Sequence, residues 1–403
     1  MRSVDEHLAE ILSIIKPLVP LELGLLDAHG CVLAEDVHAP AALPGFDNSA
    51  MDGYAVRVAD LEQVPAVLPV VGDIAAGPAS ALRVQPGLCV RIMTGAMLPV
   101  GADAVVPVEW TDGGVKQVRI DRRPEPGAFI RRAGEDVQAG ELVLPAGTHL
   151  GSAQIGLAAA VGRHRLRVRP RPRVVVVSTG SELVEPGAPL LPGQIYDCNS
   201  HALTTAAIEA GAIAYRVGII PDDPARLVGA MEDQLVRADV LVTSGGVSVG
   251  AYDVVKEVLS RLGTVGFHKV AMQPGMPQGF GTIGPDSTPV FALPGNPVSA
   301  MVSFEAFVRP ALRRMLGAEK VVRPLVSARA LTDLRSAVGK RSFVRVWLEV
   351  RDGAYVISPV SGAASHLLAG MSRANALAIV PEAMDHVPAG SPVQVMMLER
   401  RSV

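Results

Sequence analysis

The chain has 403 residues, 49% of them apolar but only 4% aromatic, and a formal net charge of −3; this predicts two to four domains packed mainly by aliphatic side chains. The balance of charge leaves no basic domain or stripe for nucleic acid. No apolar run reaches the ~18 residues of a membrane helix, and the acidic start MRSVDEHLAE lacks a signal-peptide core.

Ser3 with Glu6 three residues on makes a capping box. Val4, Leu8, Ile11 and Ile15 follow at helical spacing and stop before Pro17, so the chain opens with a helix. From about residue 20 to 170 the pattern turns to short β-like runs broken by Gly and Pro, including Leu88–Met93, Ala104–Val108 and Val115–Ile120. We divide this stretch into a helical and linker module, 1–40 with 140–170, and a β-rich module, 41–139. Within the latter, Asp47–Ala55 (DNSAMDGYA) shows no apolar periodicity and follows a Pro44-Gly45 turn, so it reads as a loop. Such dense polarity either binds and reacts or satisfies its own backbone. Arg163, Arg165, Arg167 and Arg169 alternate at period two, which predicts one solvated strand face.

Beyond Arg169-Pro170-Arg171-Pro172-Arg173 the texture changes. Val174–Val177 is the β-branched run of a strand buried on both faces. Strands near 212–220, 238–243 and 289–293, spaced by helices at Ser200–Ala210 and Pro224–Leu235, predict a parallel sheet with right-handed crossovers over 171–318. Residues 322–403 return to short strands (Phe343–Val350, Ala354–Ser358, Pro392–Leu398) and predict a small β-domain. The fold class expected is therefore multidomain α/β plus β, with a doubly wound parallel-sheet domain, β-rich N-terminal modules and a C-terminal β-domain. Cys31, Cys89 and Cys198 are far apart without metal-ligand spacing and read as free thiols of a reducing cytoplasm.

Ligands of such sheets bind beyond the carboxyl ends of the strands, and four strand ends here carry suitable loops. They are Ser178–Glu182, Pro221–Pro224, Thr243–Gly250 and Pro294–Pro297. In the third, Gly245 and Gly246 let amides approach an anion while Ser244 and Ser248 add donors; it is neither a Walker A loop nor a dinucleotide fingerprint. Asp223 with Pro224 reads as a helix start. Asp222 and Asp253 either hold a hard cation such as Mg²⁺ or cap helices. Arg131 and Arg132, with Glu135 and Asp136, suit a tetrahedral oxyanion or a surface ion-pair cluster. Lys269 precedes the Gly/Pro-rich segment Gln273–Gly281. Together these residues point to a phosphorylated ligand, a divalent metal and a second oxyanion.

The motifs Gly45–Val56 (GFDNSAMDGYAV), Arg91–Ala96 (RIMTGA), Ile130–Asp136, Ser178–Leu183, Gly193–Asn199 (GQIYDCN), Gly218–Pro224, Ser244–Gly250 and Leu293–Ser299 (LPGNPVS) occur in this order. The chain resembles, end to end, the molybdopterin molybdenumtransferases of the MoeA type, related to the gephyrin E domain. The resemblance implies insertion of molybdate into adenylylated molybdopterin, with Mg²⁺-assisted release of AMP and formation of molybdenum cofactor. It also implies a cytoplasmic homodimer whose cleft joins one subunit's doubly wound domain to the other's β-rich module, and contact with the pathway's adenylylating enzyme. By motif, it implies roles for Asp52, Thr94, Arg131 and Asp136 on one side of the cleft. On the other it implies Glu182, Asp222 and Asp253 as metal ligands, with Lys269, Pro294, Gly295, Asn296 and Pro297, and Arg345 and Ser365 from the C-terminal domain. Arg131, Lys269 and Arg345 would hold phosphate or molybdate oxygens.

The chain departs from the family pattern at three places. Gln273-Pro274-Gly275-Met276-Pro277 replaces the usual Lys-Pro-Gly-Lys-Pro, Ser181 stands where Asp is usual, and Ala251 where an acid often follows the glycine loop. We read this as a compensated variant of one anion site. ATP-dependent adenylylation of molybdopterin, a tungstate-inserting paralogue and a non-catalytic scaffold are the competing functions; no long linker or partner domain supports the last.

Overall fold

The computed structural model describes residues 1–78, 81–245, 254–360, 362 and 364–398. The chain forms two compact units, one of Met1–Leu23, Gly30–Ala34 and Arg167–Val403, the other of Gly24–His29 and Glu35–Leu166.

In the first unit the strand Arg173–Thr179 pairs in parallel with Ile213–Ile220 on one side and Val240–Ser244 on the other. Thr288–Leu293 extends the parallel run. The pleat sends alternate side chains to opposite faces. Val174, Val176, Val240, Val242, Phe291 and Leu293 join one core, whereas Val175, Val177, Leu241, Val290 and Ala292 join another. The helix Asn199–Glu209 covers the first face and the helices Pro224–Leu235 and Val254–Leu262 the second. All four parallel strands therefore end at one edge. The sheet is not wholly parallel, however. Pro277–Ile283 and Gly263–Lys269 add antiparallel strands beside Thr288–Leu293, and the first of them occupies part of the Gly/Pro-rich segment Gln273–Gly281.

The capping box forms as expected: Glu6 N–H donates to Ser3 Oγ at 3.1 Å and Ser3 N–H to Glu6 Oε2 at 2.8 Å. The resulting helix, Val4–Ile14, buries Val4 and Ile11 in the first core. It also buries His7 against Phe307, with ring centroids 4.8 Å apart.

The C-terminal strands Leu325–Ala330, Arg341–Arg351, Ala354–Pro359, Ala376–Val380 and Pro392–Met397 close on themselves as a small barrel around Val346, Ile357, Ala378 and Val395. Met272–Gln273 pairs in parallel with its longest strand, Met272 opposite Arg341 and Gln273 opposite Ser342. Before the barrel, the buried Glu305 carboxylate accepts from the Arg323 guanidinium at 2.6 and 3.0 Å.

The second unit centres on a five-stranded sheet in which Gly53–Val56 lies between Cys89–Ile92 and Ala104–Pro107. This corrects the reading of Asp47–Ala55 as a loop with little to bury. Tyr54, Ala55 and Val56 are fully buried, Tyr54 and Val56 in one core and Ala55 in another. The tyrosine hydroxyl, donating to Gly114 O at 2.9 Å, makes a core residue look polar. Gly53 is required sterically, because a Cβ there would meet Val106 O at 2.0 Å. In Arg165–Arg169 the exposed Arg165 and Arg167 do alternate with buried Leu166 and Val168.

Burial pushes the His7 imidazole down to about 4, with the nearby charges of Arg2 and His268 acting in the same direction. Its folded value lies below its unfolded one near ~6.5. The unfolded chain thus binds the extra proton, and stability present above pH ~6.5 falls as pH drops toward 4, by on the order of 3 kcal/mol in all. Urea titrations between pH 7 and 4.5 should show this slope, and His7→Leu should flatten it.

Candidate functional site

The four strand-end loops of the parallel sheet meet at a cavity of about 710 Å³. Glu182 and Asp222 stand on its wall with Ser244, Gly245 and the turn Pro294–Pro297. The two aspartates of Pro221–Pro224 separate by role. Asp223 Oδ1 accepts from Arg226 N–H at 2.8 Å as the cap of Pro224–Leu235. Asp222 Oδ2 accepts instead from Ser181 N–H at 3.1 Å and Ser181 Oγ at 3.3 Å. A serine at 181 thus supplies donors to Asp222, where an aspartate would have placed a like charge beside it.

Gly245 has φ +98°, and a Cβ there would approach Thr179 O to 2.8 Å. Gly245 can therefore lie against the end of Arg173–Thr179, and it also abuts the turn Pro294–Pro297, where a Cβ at Gly295 would stand 3.6 Å from Gly245 Cα. Asn199 clamps the two, Nδ2 donating to Ser244 Oγ at 2.8 Å and to Gly295 O at 2.6 Å. Beside it Asp197, 1% exposed, accepts from Ser178 Oγ at 3.0 Å and from Ser200 N–H at 3.1 Å. No Lys or Arg lines the cavity among the described residues. Gly246, Ser248, Ala251 and Asp253 lie outside the described residues.

A second cavity, about 450 Å³, shares Ser299 and His366 with the first. Ser365 lines it and accepts from Asn296 Nδ2 at 3.0 Å. Gln273, Met276 and Lys340 line it too. A third, about 490 Å³, shares Gln273 and Pro274 with the second and reaches Arg335 and Arg345. The Arg345 guanidinium, 4% exposed, donates to Leu367 O at 3.1 Å, to Ala364 O at 3.2 Å and to Gly362 O. Its visible task is to hold the loop carrying Ser365 and His366. Lys269 is exposed at the end of an edge strand and lines none of these three cavities.

The remaining predicted residues belong to the second unit, where three motifs converge. Asp52 Oδ1 accepts from Thr94 N–H at 2.6 Å and Thr94 Oγ1 at 2.7 Å. Those bonds hold its carboxyl below the ordinary range. Ser49 joins the same two motifs through Ser49 N–H to Ala96 O and Gly95 N–H to Ser49 O. Ile130–Arg131 pairs with Asn48–Ser49. Arg132, not Arg131, forms the ion pair with Asp47, at 2.7 Å, which leaves Arg131 exposed beside it. Asp136 is exposed on the following loop, tied by its own N–H to Leu43 O.

Sequence reasoning singled out neither His366 nor Lys340. His366 follows a motif-matched serine; Lys340 carries no local signal, because it reaches the cavity through the distant pairing of Met272 with Arg341 and Gln273 with Ser342. None of the three cysteines forms a disulfide, and Cys31 and Cys89 are buried; burial pushes the Cys89 thiol up to about 12. Among the described residues no helix is long and apolar enough to cross a membrane.

Fold and site define a multidomain protein with an acidic cavity beyond the carboxyl ends of parallel strands. Three family models match successive stretches: the MoeA N-terminal region (domain I and II) over 2–162, the probable molybdopterin binding domain over 175–314 and the MoeA C-terminal region (domain IV) over 327–398. Molybdopterin molybdenumtransferase 2 of Mycobacterium tuberculosis is 49% identical over 98% of this chain and 99% of its own length. Molybdopterin molybdenumtransferase 1 of that organism is 44% identical over 99% of both. The crystal structure of the MoeA molybdopterin biosynthesis protein from Pyrococcus horikosii matches with TM-score 0.78 and 33% identity over 99% of both chains. The chain belongs to the molybdopterin molybdenumtransferase family, transferases of molybdenum cofactor biosynthesis.

Asp52, its value depressed, keeps the bond to Thr94 above the unfolded carboxylate range near ~3.9 and loses it as pH falls through the lower folded value. Amide exchange of Thr94 should therefore be slow at pH 7. Asp52→Ala should accelerate it at least tenfold while leaving the amides of Gly53–Val56 protected.

Proposed function

We propose that the chain inserts molybdate into adenylylated molybdopterin, releasing AMP and leaving molybdenum cofactor. The observation that carries this reading is the 710 Å³ cavity with Glu182 and Asp222 on its wall and, among the described residues, no lining Lys or Arg. A phosphoanhydride there needs its charge neutralised by something other than the protein's own cations. Oxygen donors are the chemistry Mg²⁺ takes, and the ion keeps waters and substrate phosphates in place of a full protein cage. The absence of a three-residue ligand cluster among the described residues is compatible with that. Asp222 Oδ2 is engaged by Ser181, so its other oxygen and the Glu182 carboxylate would hold the ion, with Asp253 a third ligand by motif. When bound, Mg²⁺ polarises the phosphoanhydride and stabilises the charge that builds as AMP leaves.

The chain's own groups orient the substrate. The Gly245 turn and the Asn199 clamp hold two loops open to a phosphate, and Ser244 Oγ offers a hydroxyl beside it. Ser299, Ser365 and His366 line the passage to the second cavity, where the oxyanion is admitted. Asp52 and Thr94, with Arg131 and Asp136, complete the cleft from a second subunit of a cytoplasmic homodimer; the family resemblance supports this arrangement, and delivery of substrate by the adenylylating enzyme follows from it. Adenylylation of molybdopterin by this chain itself is the competing reading.

Purified protein given adenylylated molybdopterin and Mg²⁺ should release AMP only when molybdate is added. Release without molybdate, or consumption of ATP, refutes the assignment. Glu182→Gln should raise the Mg²⁺ needed for half-maximal release at least tenfold.

A further inference from the structure

The segment 180–197 is a strap that borders the acidic cavity and carries Glu182. Within it Leu183 pairs with Ile195 and Val184 with Tyr196. Ile195 N–H donates to Glu182 O at 3.0 Å and Asp197 N–H to Val184 O at 2.9 Å. The Glu182 carboxylate folds back over Gly180, where an added Cβ would stand 2.6 Å from its Oε2. At its start the strap is tied to Asp222 through Ser181. Its other end is Asp197, a buried carboxylate on the cavity wall.

A buried carboxylate needs donors for its oxygens and a cation within reach. Asp197 obtains both through Ser200. Ser200 Oγ donates to Asp197 Oδ2 and accepts from Arg216 Nε at 2.8 Å. Arg216 stands on Ile213–Ile220, the edge strand of the sheet, and its other arm reaches back to the Glu185 carboxylate within the strap. One guanidinium thus joins the edge strand, the first turn of the helix Asn199–Glu209 and the strap. The Glu185 arm alone is weak, because that side chain is 47% exposed and water screens such a pair. The Ser200 arm is the stronger one. Ser200 is fully buried, so losing Arg216 would leave its hydroxyl and the Asp197 charge without that support and without water to replace it.

We propose that Asp197 and Arg216 are positioning residues for Glu182, holding the strap so that its carboxylate faces the metal ion. The proposal rests on the reading of Glu182 as a metal ligand in molybdate insertion and names what keeps that ligand in place. Arg216 acts through Ser200 and Asp197 on the backbone at Val184, and through Glu185 on the strap directly. Neither residue touches the reacting atoms. Carboxylate ligands depend on outer partners of this kind, whose removal costs about 10–100-fold in metal affinity.

The test is binding of Mn²⁺ alone to the full-length protein, read from the electron paramagnetic resonance of the free ion. Amide exchange of Ile195 and Asp197 and the Mg²⁺ dependence of AMP release are followed in parallel. Mn²⁺ accepts the same oxygen donors as Mg²⁺. Arg216→Gln should weaken Mn²⁺ on the order of tenfold and speed both amides. It should raise the Mg²⁺ needed for half-maximal AMP release in proportion, while the rate at saturating Mg²⁺ falls much less. Glu185→Gln should have a smaller effect on Mn²⁺ than Arg216→Gln. Placed in the Glu182→Gln protein, Arg216→Gln should cost no further Mn²⁺ affinity, because residues acting through one ligand are not additive. Full additivity, unchanged Mn²⁺ affinity in Arg216→Gln, a lost saturating rate with metal affinity intact, or no Mn²⁺ binding by the unmodified protein would overturn the proposal. AMP release that ignores molybdate, with Arg216→Gln still weakening Mn²⁺ through Glu182, would remove the insertion reading and leave this anchor standing.

Discussion

The burial of Arg173–Thr179 on both faces is the constraint from which the rest of the first unit follows. A strand with valines on each side of the pleat must be covered twice, and the chain does so with helices drawn from before, within and after the sheet. Once its direction is set, Ile213–Ile220, Val240–Ser244 and Thr288–Leu293 align in parallel with it. Their carboxyl ends, and every loop that follows them, are gathered at one edge. Each buried valine contributes about 1.5–3 kcal/mol, so the location of the cavity is enforced by the strongest packing in the unit rather than by the polar groups that line it.

Charge is distributed unevenly over the three cavities. Glu182, Asp197 and Asp222 lie around the largest, Lys340 lines the second, and Arg335 and Arg345 share the third with Asp333. The carboxylates of the first cavity thus come from the sheet loops and the cations of the other two from the C-terminal barrel region. Among the described residues the first cavity offers an anionic ligand no lining Lys or Arg, whereas the second offers the Lys340 ammonium. Separation of this kind keeps carboxylates and cations from neutralising each other before a ligand arrives, as Arg341 has been by Asp5 and Glu382.

Much of this was legible in the sequence, for identifiable reasons. The valine run, the Asp223-Pro224 helix start and the strand-end loops at Ser178–Glu182, Pro221–Pro224 and Pro294–Pro297 are local patterns, and each formed where expected. Tyr54 was misjudged because its hydroxyl masks a buried ring. A strand ending near Lys269 was expected and formed as Gly263–Lys269, but its antiparallel direction and the strand Pro277–Ile283 were missed, because Gly263, Gly279 and Gly281 erase the apolar alternation. Added Cβ atoms at those positions would collide with Thr282 O, Ala292 Cβ and Thr264 O, so glycine there serves close strand contact. Lys340 was invisible because its significance depends on register between Gln273 and Ser342, which no local window contains. Arg345 was read by motif as a ligand-binding cation; it lines the third cavity, and its guanidinium is also engaged with the carbonyls of Gly362, Ala364 and Leu367.

That engagement has an architectural consequence. The loop bearing Ser365 and His366 also meets the sheet domain, through Val298 N–H to Ser365 O and Asn296 Nδ2 to Ser365 Oγ. One short segment is therefore bolted at both ends, to the barrel by a buried guanidinium and to the turn Pro294–Pro297 by an amide. The barrel is consequently a wall of the chamber rather than an appendage to it. A chain shortened before the barrel would keep its valine sheet and its carboxylates, yet would open the passage between the two cavities to water.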